Sequence, residues 1–259
     1  MDPFLYLDRD TFVHRLDPRT KMFLLVGAFV LAFLFLNPLY GLVVLALVVA
    51  FGALARSLVN LKRIRFILVM IGLVTVVMWS VFSQGETPLF LFVEWEALLY
   101  GIGVALKIDA TIIAGMIFLS TTRNEEIATG LVKLGVPYRF AFAVSTALRL
   151  VPTIAATGST ISQAQRSRGL DLESGNLFQR IRKNTPLLIP VFVSTIRSTN
   201  VFSMALESKG FGASPERTYF LRLAMGRRDA IVLAVLALLL LVALFLRFAG
   251  YGGLEGVTR

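Results

Sequence analysis

Residues 22–55 read MFLLVGAFVLAFLFLNPLYGLVVLALVVAFGALA and carry no charged side chain. Only Asn37 and Pro38 divide this stretch into two apolar runs, over residues 22–36 and 39–55. Each run is at or just below the length that crosses the hydrocarbon layer of a bilayer. Asn-Pro is a turn signal, and proline suits the first turn of a helix. We therefore predict a tight hairpin of two membrane helices.

Three further apolar runs extend this pattern, over residues 64–82, 98–120 and 230–246. The chain is 56% hydrophobic with a mean hydropathy of +0.77, which is more apolar than ordinary soluble domains. We predict an all-α integral membrane protein with about five transmembrane helices. Its predicted regions are an N-terminal four-helix membrane region over 1–121, a cytoplasmic region over 122–228, and a C-terminal membrane helix with an outer tail over 229–259.

Basic residues predict how the chain is oriented in the membrane. The loop over residues 56–65 carries Arg56, Lys62, Arg63 and Arg65, whereas the loop over 83–96 has no basic residue. Because basic loops stay in the cytoplasm, we expect the N-terminus inside and the C-terminus outside. The opening sequence MDPFLYLDRD lacks a compact apolar core, so we expect no cleavable signal peptide.

Residues 140–161 and 186–206 are also largely apolar, and two interpretations of them stay open. Each carries one internal charge, Arg149 or Arg197, and each is interrupted by proline. If both spanned the membrane, the basic residues between them would lie outside, against the positive-inside rule. We favour two long amphipathic helices on the cytoplasmic side, and membrane insertion is the alternative.

A shorter helix is predicted just before these two segments. Thr122 and Glu125 have the spacing of a capping box at its start. Gly135 and Pro137 are expected to end it.

An internal repeat carries the strongest functional signal. Residues 162–169 read SQAQRSRG and residues 203–210 read SMALESKG, so both match Ser-x-Ala-x-x-Ser-[Arg/Lys]-Gly. Glycine ends helices by adopting the left-handed conformation, and a cation is favoured at a helix C-terminus. We predict two helices that end in blunt, basic tips: a first tip of Ser167, Arg168 and Gly169, and a second tip of Ser208, Lys209 and Gly210. The simpler interpretation is ordinary helix capping.

Lys107 and Asp109 lie near the middle of the fourth apolar run. Charged groups at that depth are costly and are usually functional or paired. Two residues apart, they face different sides of a helix and are poor partners for each other. They favour, as an alternative function, a stand-alone ion-coupled carrier or channel, and burial beside a hydrogen-bonding partner is the simpler interpretation.

The chain lacks the residues that several classes of site and reaction require. The chain has no cysteine and one histidine, His14, so we predict no metal site and no cofactor. No phosphate-binding loop or hydrolase motif is present, so we predict no catalytic residue and no ATP hydrolysis by this chain. The basic residues are scattered along helices with apolar faces, which argues against a nucleic-acid partner. A membrane enzyme is a third possibility, disfavoured by the lack of clustered acid and base groups.

Three stretches give the chain a family resemblance. HRLDPRTK over residues 14–21, STTRNEEIATGLVKLGVPYRF over residues 120–140, and the paired tips resemble the transmembrane T component of energy-coupling factor transporters. These transporters are a branch of the ATP-binding-cassette importers. The resemblance covers roughly residues 10–250.

The resemblance implies a non-catalytic coupling subunit in a prokaryotic plasma membrane. The two tips would end coupling helices that dock on two cytoplasmic ATPases, and a membrane-embedded S component would bind the substrate. ATP-driven motion would reorient the S component, and the family handles vitamins and transition-metal ions. Here serine replaces the family's alanine in both tips, and Lys209 replaces arginine, which removes a bidentate contact to a carboxylate.

Overall fold

The computed structural model of the chain describes residues 6–83, 87–90, 93–170, 176–213 and 225–250. These residues form eight α-helices and one short antiparallel hairpin of β1 (Pro88–Phe90) and β2 (Val93–Glu94). The predicted all-α fold is therefore confirmed. The helices are α1 (Pro18–Leu34), α2 (Pro38–Leu54), α3 (Leu58–Phe82), α4 (Trp95–Thr121), α5 (Asn124–Lys133), α6 (Tyr138–Ser167), α7 (Leu177–Ser208) and α8 (Arg227–Phe248).

The predicted hairpin of the first two apolar runs is present as α1 and α2. Pro38 is the first residue of α2, and the Asn37 side chain accepts a hydrogen bond of 3.0 Å from the Leu39 N–H. A second Asx-Pro pair starts α1, where the Asp17 carboxylate accepts the Arg19 N–H at 2.9 Å. Both helices begin where the local sequence supplies a cap and a proline.

α4 is the central helix of the membrane region and packs against α1, α2 and α3. Its buried face is rich in glycine and alanine, which lets the neighbouring backbones approach closely. The clearest case is Gly103, where an added Cβ would lie 2.6 Å from the Leu36 carbonyl oxygen. A larger residue at this position would push α4 away from the end of the α1 segment.

The chain divides into two compact units. Unit 1 comprises Met1–Val136 and Leu223–Arg259, and unit 2 comprises Pro137–Arg222. All five helices that coincide with the predicted spans lie in unit 1, whereas α6 and α7 form unit 2. α5 belongs to unit 1, although the sequence grouped it with the cytoplasmic region. The three-region division stays a prediction.

Helix lengths give a partly different set of candidate spans. Within the described residues, five helices are long and apolar enough to cross a membrane: α3, α4, α6, residues Asn184–Ser208 of α7, and α8. α1 and α2 have 17 residues each, about 26 Å, which is the lower limit for a span. The number of spans agrees with the prediction but the members differ, because length and composition alone do not separate a long surface helix from a spanning one.

The predicted cap of α5 is wrong by one residue. The helix begins at Asn124, and the Glu126 carboxylate accepts the backbone N–H of Arg123 at 3.4 Å. Thr122 lies one residue before this N-cap, where it is the C-cap residue of α4, and its hydroxyl has no hydrogen-bond partner among the described residues. The predicted end of the helix is confirmed, since Gly135 has φ +101°.

Candidate functional site

The first tip ends α6 in a left-handed glycine cap. Gly169 has φ +89°, a conformation that favours glycine. Its N–H donates to the Arg166 carbonyl at 2.9 Å, and the Leu170 N–H donates to the Gln165 carbonyl at 3.0 Å. This pair of bonds is the Schellman motif, which satisfies carbonyls that a helix end otherwise leaves free.

The second tip repeats that arrangement at the end of α7. Gly210 has φ +74°, and its N–H donates to the Glu207 carbonyl at 2.9 Å. The Phe211 N–H donates to the Leu206 carbonyl, also at 2.9 Å. The prediction that both repeats end their helices at left-handed glycines is confirmed.

The cap alone does not distinguish the tips from other helix ends. α5 closes in the same way at Gly135, where the Gly135 and Val136 N–H groups donate to the Val132 and Leu131 carbonyls. The residue before that glycine is Leu134, whereas each tip has a cation there. Ordinary capping therefore accounts for the glycines, and what sets the two tips apart from the end of α5 is a cation directly before the glycine in both.

The cations are the exposed part of each tip. Arg168 and Lys209 are both exposed, and neither forms an ion pair within the part of the chain that the structure describes. The Ser167 hydroxyl instead donates to the Gln163 carbonyl at 3.1 Å, and the Ser208 hydroxyl binds within its own helix in the same way. Each tip therefore presents, among the described residues, one cation without an ion-pair partner on a capped helix end.

α6 and α7 run antiparallel within unit 2. Near one end, the centroid of the Phe211 ring lies 4.5 Å from that of the Phe142 ring and 6.1 Å from that of the Tyr138 ring. Near the middle, a Cβ added at Gly158 would lie 4.0 Å from a Val191 methyl group. The first tip therefore lies at one end of this helical hairpin and the second tip at the other. Since α6 has 30 residues, its ends are about 45 Å apart.

Unit 2 leaves an apolar stripe uncovered on each helix. The exposed side chains recur every three or four residues, which is the period of one helix face. On α6 they are Phe140, Val144, Leu148 and Val151, and on α7 they are Ile189, Phe192, Val193 and Ile196. Contiguous apolar surface of this kind indicates contact with lipid or with another protein.

The structure gives Lys107 and Asp109 different surroundings. Lys107 is buried in α4. Asp109 faces α3, where a Cβ added at Gly72 would lie 3.5 Å from its Oδ2 atom. Its Oδ1 atom is buried and has no hydrogen-bond partner among the described residues. The structure does not bring the two charges together, and their functional role stays a prediction.

Comparison with known proteins finds similarity over most of the chain. The model of a protein family named CbiQ and described as cobalt transport protein matches residues 9–220. The chain belongs to the CbiQ family. The matched range contains the HRLDPRTK segment, the central segment and both tips of this CbiQ-family protein.

Three curated relatives of this CbiQ-family chain are named "Energy-coupling factor transporter transmembrane protein EcfT". The relative from Bacillus selenitireducens is 30% identical, over 95% of this chain and 96% of its own. The relative from Acidaminococcus fermentans is 31% identical, over 94% and 95%. The relative from Lactococcus lactis is 29% identical, over 93% and 96%. The predicted resemblance to the T component is confirmed.

Sequence reasoning missed a buried polar cluster in this CbiQ-family chain. In the sequence, the HRLDPRTK segment indicated only the family resemblance. In the structure, its Lys21 side chain is 3% exposed and donates a hydrogen bond to the carbonyl of Thr121, 100 residues further along the chain. The only local signal is a lysine directly before an apolar run, which usually indicates a membrane-surface residue. His14 lies beside this cluster, where burial and the Lys21 charge lower the pKa of its imidazole. The ring is therefore neutral near pH 7, and its Nε2–H donates to the Leu7 carbonyl at 3.0 Å.

Proposed function

We propose that this chain is the non-catalytic transmembrane coupling subunit of an energy-coupling factor importer. It transmits the ATP-driven motion of two cytoplasmic ATPases to a membrane-embedded, substrate-binding S component, for uptake of a vitamin or a transition-metal ion. Its N-terminus is cytoplasmic and its C-terminus lies outside. The observation that carries the proposal is a pair of matched basic helix tips at opposite ends of one antiparallel hairpin.

The spacing of the tips suits two similar partners side by side. Each tip offers one cation on a capped helix end, and the two ends lie about 45 Å apart along α6. A single pocket cannot hold both tips at that separation. Two related ATPase subunits provide two equivalent pockets, and an acidic group in each would pair with Arg168 or Lys209.

If both tips dock on cytoplasmic ATPases, the hairpin lies along the cytoplasmic face of the membrane. In an antiparallel hairpin that stood across the bilayer, one tip would be inside and the other outside. Cytoplasmic ATPases could then reach only one of them. Both tips are accessible only when α6 and α7 lie on the inner side, which is the placement favoured by the basic residues between the two helices.

The uncovered apolar stripes give unit 2 a second surface. Exposed side chains such as Phe140 and Phe192 favour contact with a partner or with lipid, because burial of apolar area is the main favourable term in association. Contact with the membrane-embedded S component and the adjoining bilayer supplies that burial. Motion that begins at the tips then reaches the S component through the same two helices.

The proposal is tested by reversing the charge of both tips. We expect Arg168→Glu combined with Lys209→Glu to abolish co-purification of the ATPases and substrate uptake, because each acidic pocket would meet a like charge. Membrane insertion should be unchanged. The matched control is Arg149→Glu with Arg197→Glu, which makes the same charge change at exposed sites on the same two helices. Normal ATPase association in the tip variant would remove the docking function.

A further inference from the structure

Unit 2 is joined to unit 1 by two chain crossings. The chain enters unit 2 between residues 136 and 137 and leaves it between residues 222 and 223. α5 is the last helix before the first crossing, and α8 is the first described helix after the second. Both helices are bonded to the same short segment, residues 17–21 at the start of α1.

Lys21 makes the first of these connections. Its ammonium donates to the Thr121 carbonyl at the end of α4 at 2.7 Å and to the His14 carbonyl at 3.0 Å. It also lies 3.6 Å from the Glu126 carboxylate in the first turn of α5. A single buried cation therefore holds the junction of α4 and α5 against α1.

Close packing reinforces this connection. A Cβ added at Gly130, in the middle of α5, would lie 3.2 Å from Pro18 and 3.3 Å from the end of the Met22 side chain. α5 therefore lies directly on the first turns of α1, with little room for a side chain between them.

Asp229 makes the second connection. Its Oδ1 atom accepts the backbone N–H of Asp17 at 2.8 Å, and its Oδ2 atom accepts the N–H of Gly226 at 2.9 Å. Asp17 and Asp229 are each 5% exposed. A single buried carboxylate therefore holds the start of α8 to the residue that caps α1.

Charged hydrogen bonds of this kind resist displacement. In a low-dielectric interior they are stronger than in water, and a buried charge that loses its partner is costly. These bonds give a displacement of α5 or of the start of α8 a direct route to α1.

We propose that Lys21 and Asp229 are positioning residues of a coupling anchor, formed by Asp17, Lys21, Glu126 and Asp229. The inference rests on the proposed function. The anchor receives the motion of unit 2 through both chain crossings and passes it to the membrane helices through α1. Without the Lys21 charge, the tips still dock and the ATPases still turn over, but α5 slips against α1 and the motion is lost.

The test uses the complete transporter, with ATPases and S component, in proteoliposomes. ATPase association, ATP hydrolysis and substrate uptake are measured for the Lys21→Met variant. We expect the substrate taken up per ATP hydrolysed to fall about tenfold, within the usual range of coupling between sites, while ATPase association is kept. The control is Lys62→Met, which removes an exposed lysine of α3 outside the anchor and should leave the ratio unchanged.

Two results with Lys21→Met would overturn the inference. One is an unchanged ratio of uptake to hydrolysis. The other is a parallel loss of both activities, which is the sign of a merely structural residue. If Lys21→Met does not assemble, the Glu126→Gln variant is tested in its place. This change removes the carboxylate charge beside Lys21. It leaves the bonds from Lys21 to the two carbonyls, and the glutamine still offers an oxygen to the Arg123 N–H. A lowered ratio in that variant supports the anchor, and an unchanged ratio refutes it.

Failure of the proposed function is distinguishable from failure of the anchor. If the proposed function is wrong, the unmodified protein will lack bound ATPases or ATP-dependent uptake, and the coupling anchor is then refuted as well. Failure of the anchor alone would appear only in the variants, in a transporter whose unmodified form is coupled.

Discussion

Gly169 and Gly210 give the tips their shape at the scale of single residues. Each has a positive φ, which lets the chain turn off the helix axis immediately after the cation. The hydroxyls of Ser167 and Ser208 donate to carbonyls of their own helices, so they stabilise the helix ends more than they serve contact with a partner. The outward chemistry of each tip is therefore carried by one side chain, Arg168 or Lys209.

The substitution Gly169→Ala isolates the backbone contribution. No atom lies within 4 Å of an added Cβ at this position, so the methyl group meets no steric clash, only the cost of a left-handed conformation. We expect a cost of about 1 kcal/mol at the tip and a several-fold weaker association with the ATPases, measured by titration of the purified subunits.

Gly115→Ala is the matched control for that experiment. An added Cβ at Gly115 also meets nothing within 4 Å, but the residue lies inside α4 with ordinary helical geometry. Alanine is favoured over glycine there, so ATPase association should not weaken. Equal effects of the two substitutions would show that the left-handed turn has no part in docking.

At the scale of helices, the structure separates two kinds of long apolar segment. α4 is buried among three other helices by its small residues, whereas α6 and α7 pack mainly on each other and leave apolar stripes exposed. Glycine and alanine let membrane helices approach closely, and the larger exposed side chains of α6 and α7 face outward from their hairpin. The two kinds of helix respond differently to substitution and to labelling.

Gly103→Ala tests the close packing of α4. The added methyl group would lie 2.6 Å from a backbone oxygen, at Leu36, which cannot move aside as a flexible side chain can. We expect a loss of about 1–3 kcal/mol in stability, seen as a lower melting temperature of the detergent-purified protein. Gly115→Ala, in the same helix, should not lower it. A melting temperature that Gly103→Ala leaves unchanged would contradict the packing described for α4.

Labelling of cysteines tests the placement of the hairpin. The chain has no native cysteine, so Arg168→Cys and Lys209→Cys each introduce a single reactive thiol. We expect a membrane-impermeant maleimide to label both positions from the cytoplasmic side only, and Leu39→Cys, beside the predicted outer turn, from the opposite side. Labelling of positions 168 and 209 from opposite sides would mean that α6 and α7 cross the bilayer.

The whole molecule combines two compact units, one with the five helices predicted to span the membrane and one with both tips. Placing the tips at opposite ends of one hairpin makes the docking points independent. Their separation of about 45 Å is several times the Debye length at physiological salt, so the charge of one tip does not influence the other.

Independent tips should lose their ATPases one at a time. We expect Arg168→Glu alone, and Lys209→Glu alone, each to leave one ATPase bound per chain, because sites far apart act additively. Native mass spectrometry of the purified complex measures this stoichiometry directly, with the unmodified complex carrying two ATPases as the reference. Loss of both ATPases from either single variant would mean that the two docking sites are coupled.

The sequence by itself determined the membrane class, the helices and the endings of α5, α6 and α7. These features depend on signals that are local in the chain: apolar runs, Asx-Pro starts and glycine ends. Locality also explains the misplaced cap of α5, since Thr122 has the right spacing for a cap, whereas the structure uses it as the C-cap residue of α4 and starts α5 one residue later than predicted.

Only the tertiary structure decided which distant residues meet. Lys21 bonds a residue 100 positions away, and Asp17 bonds Asp229 across 212 positions, distances over which no local pattern is informative. The antiparallel pairing of α6 and α7 likewise sets the two tips at opposite ends, although the repeat alone is equally compatible with neighbouring tips. Such pairings are set by the packing of whole helices, because contacts between residues far apart in the chain exist only once the helices have come together.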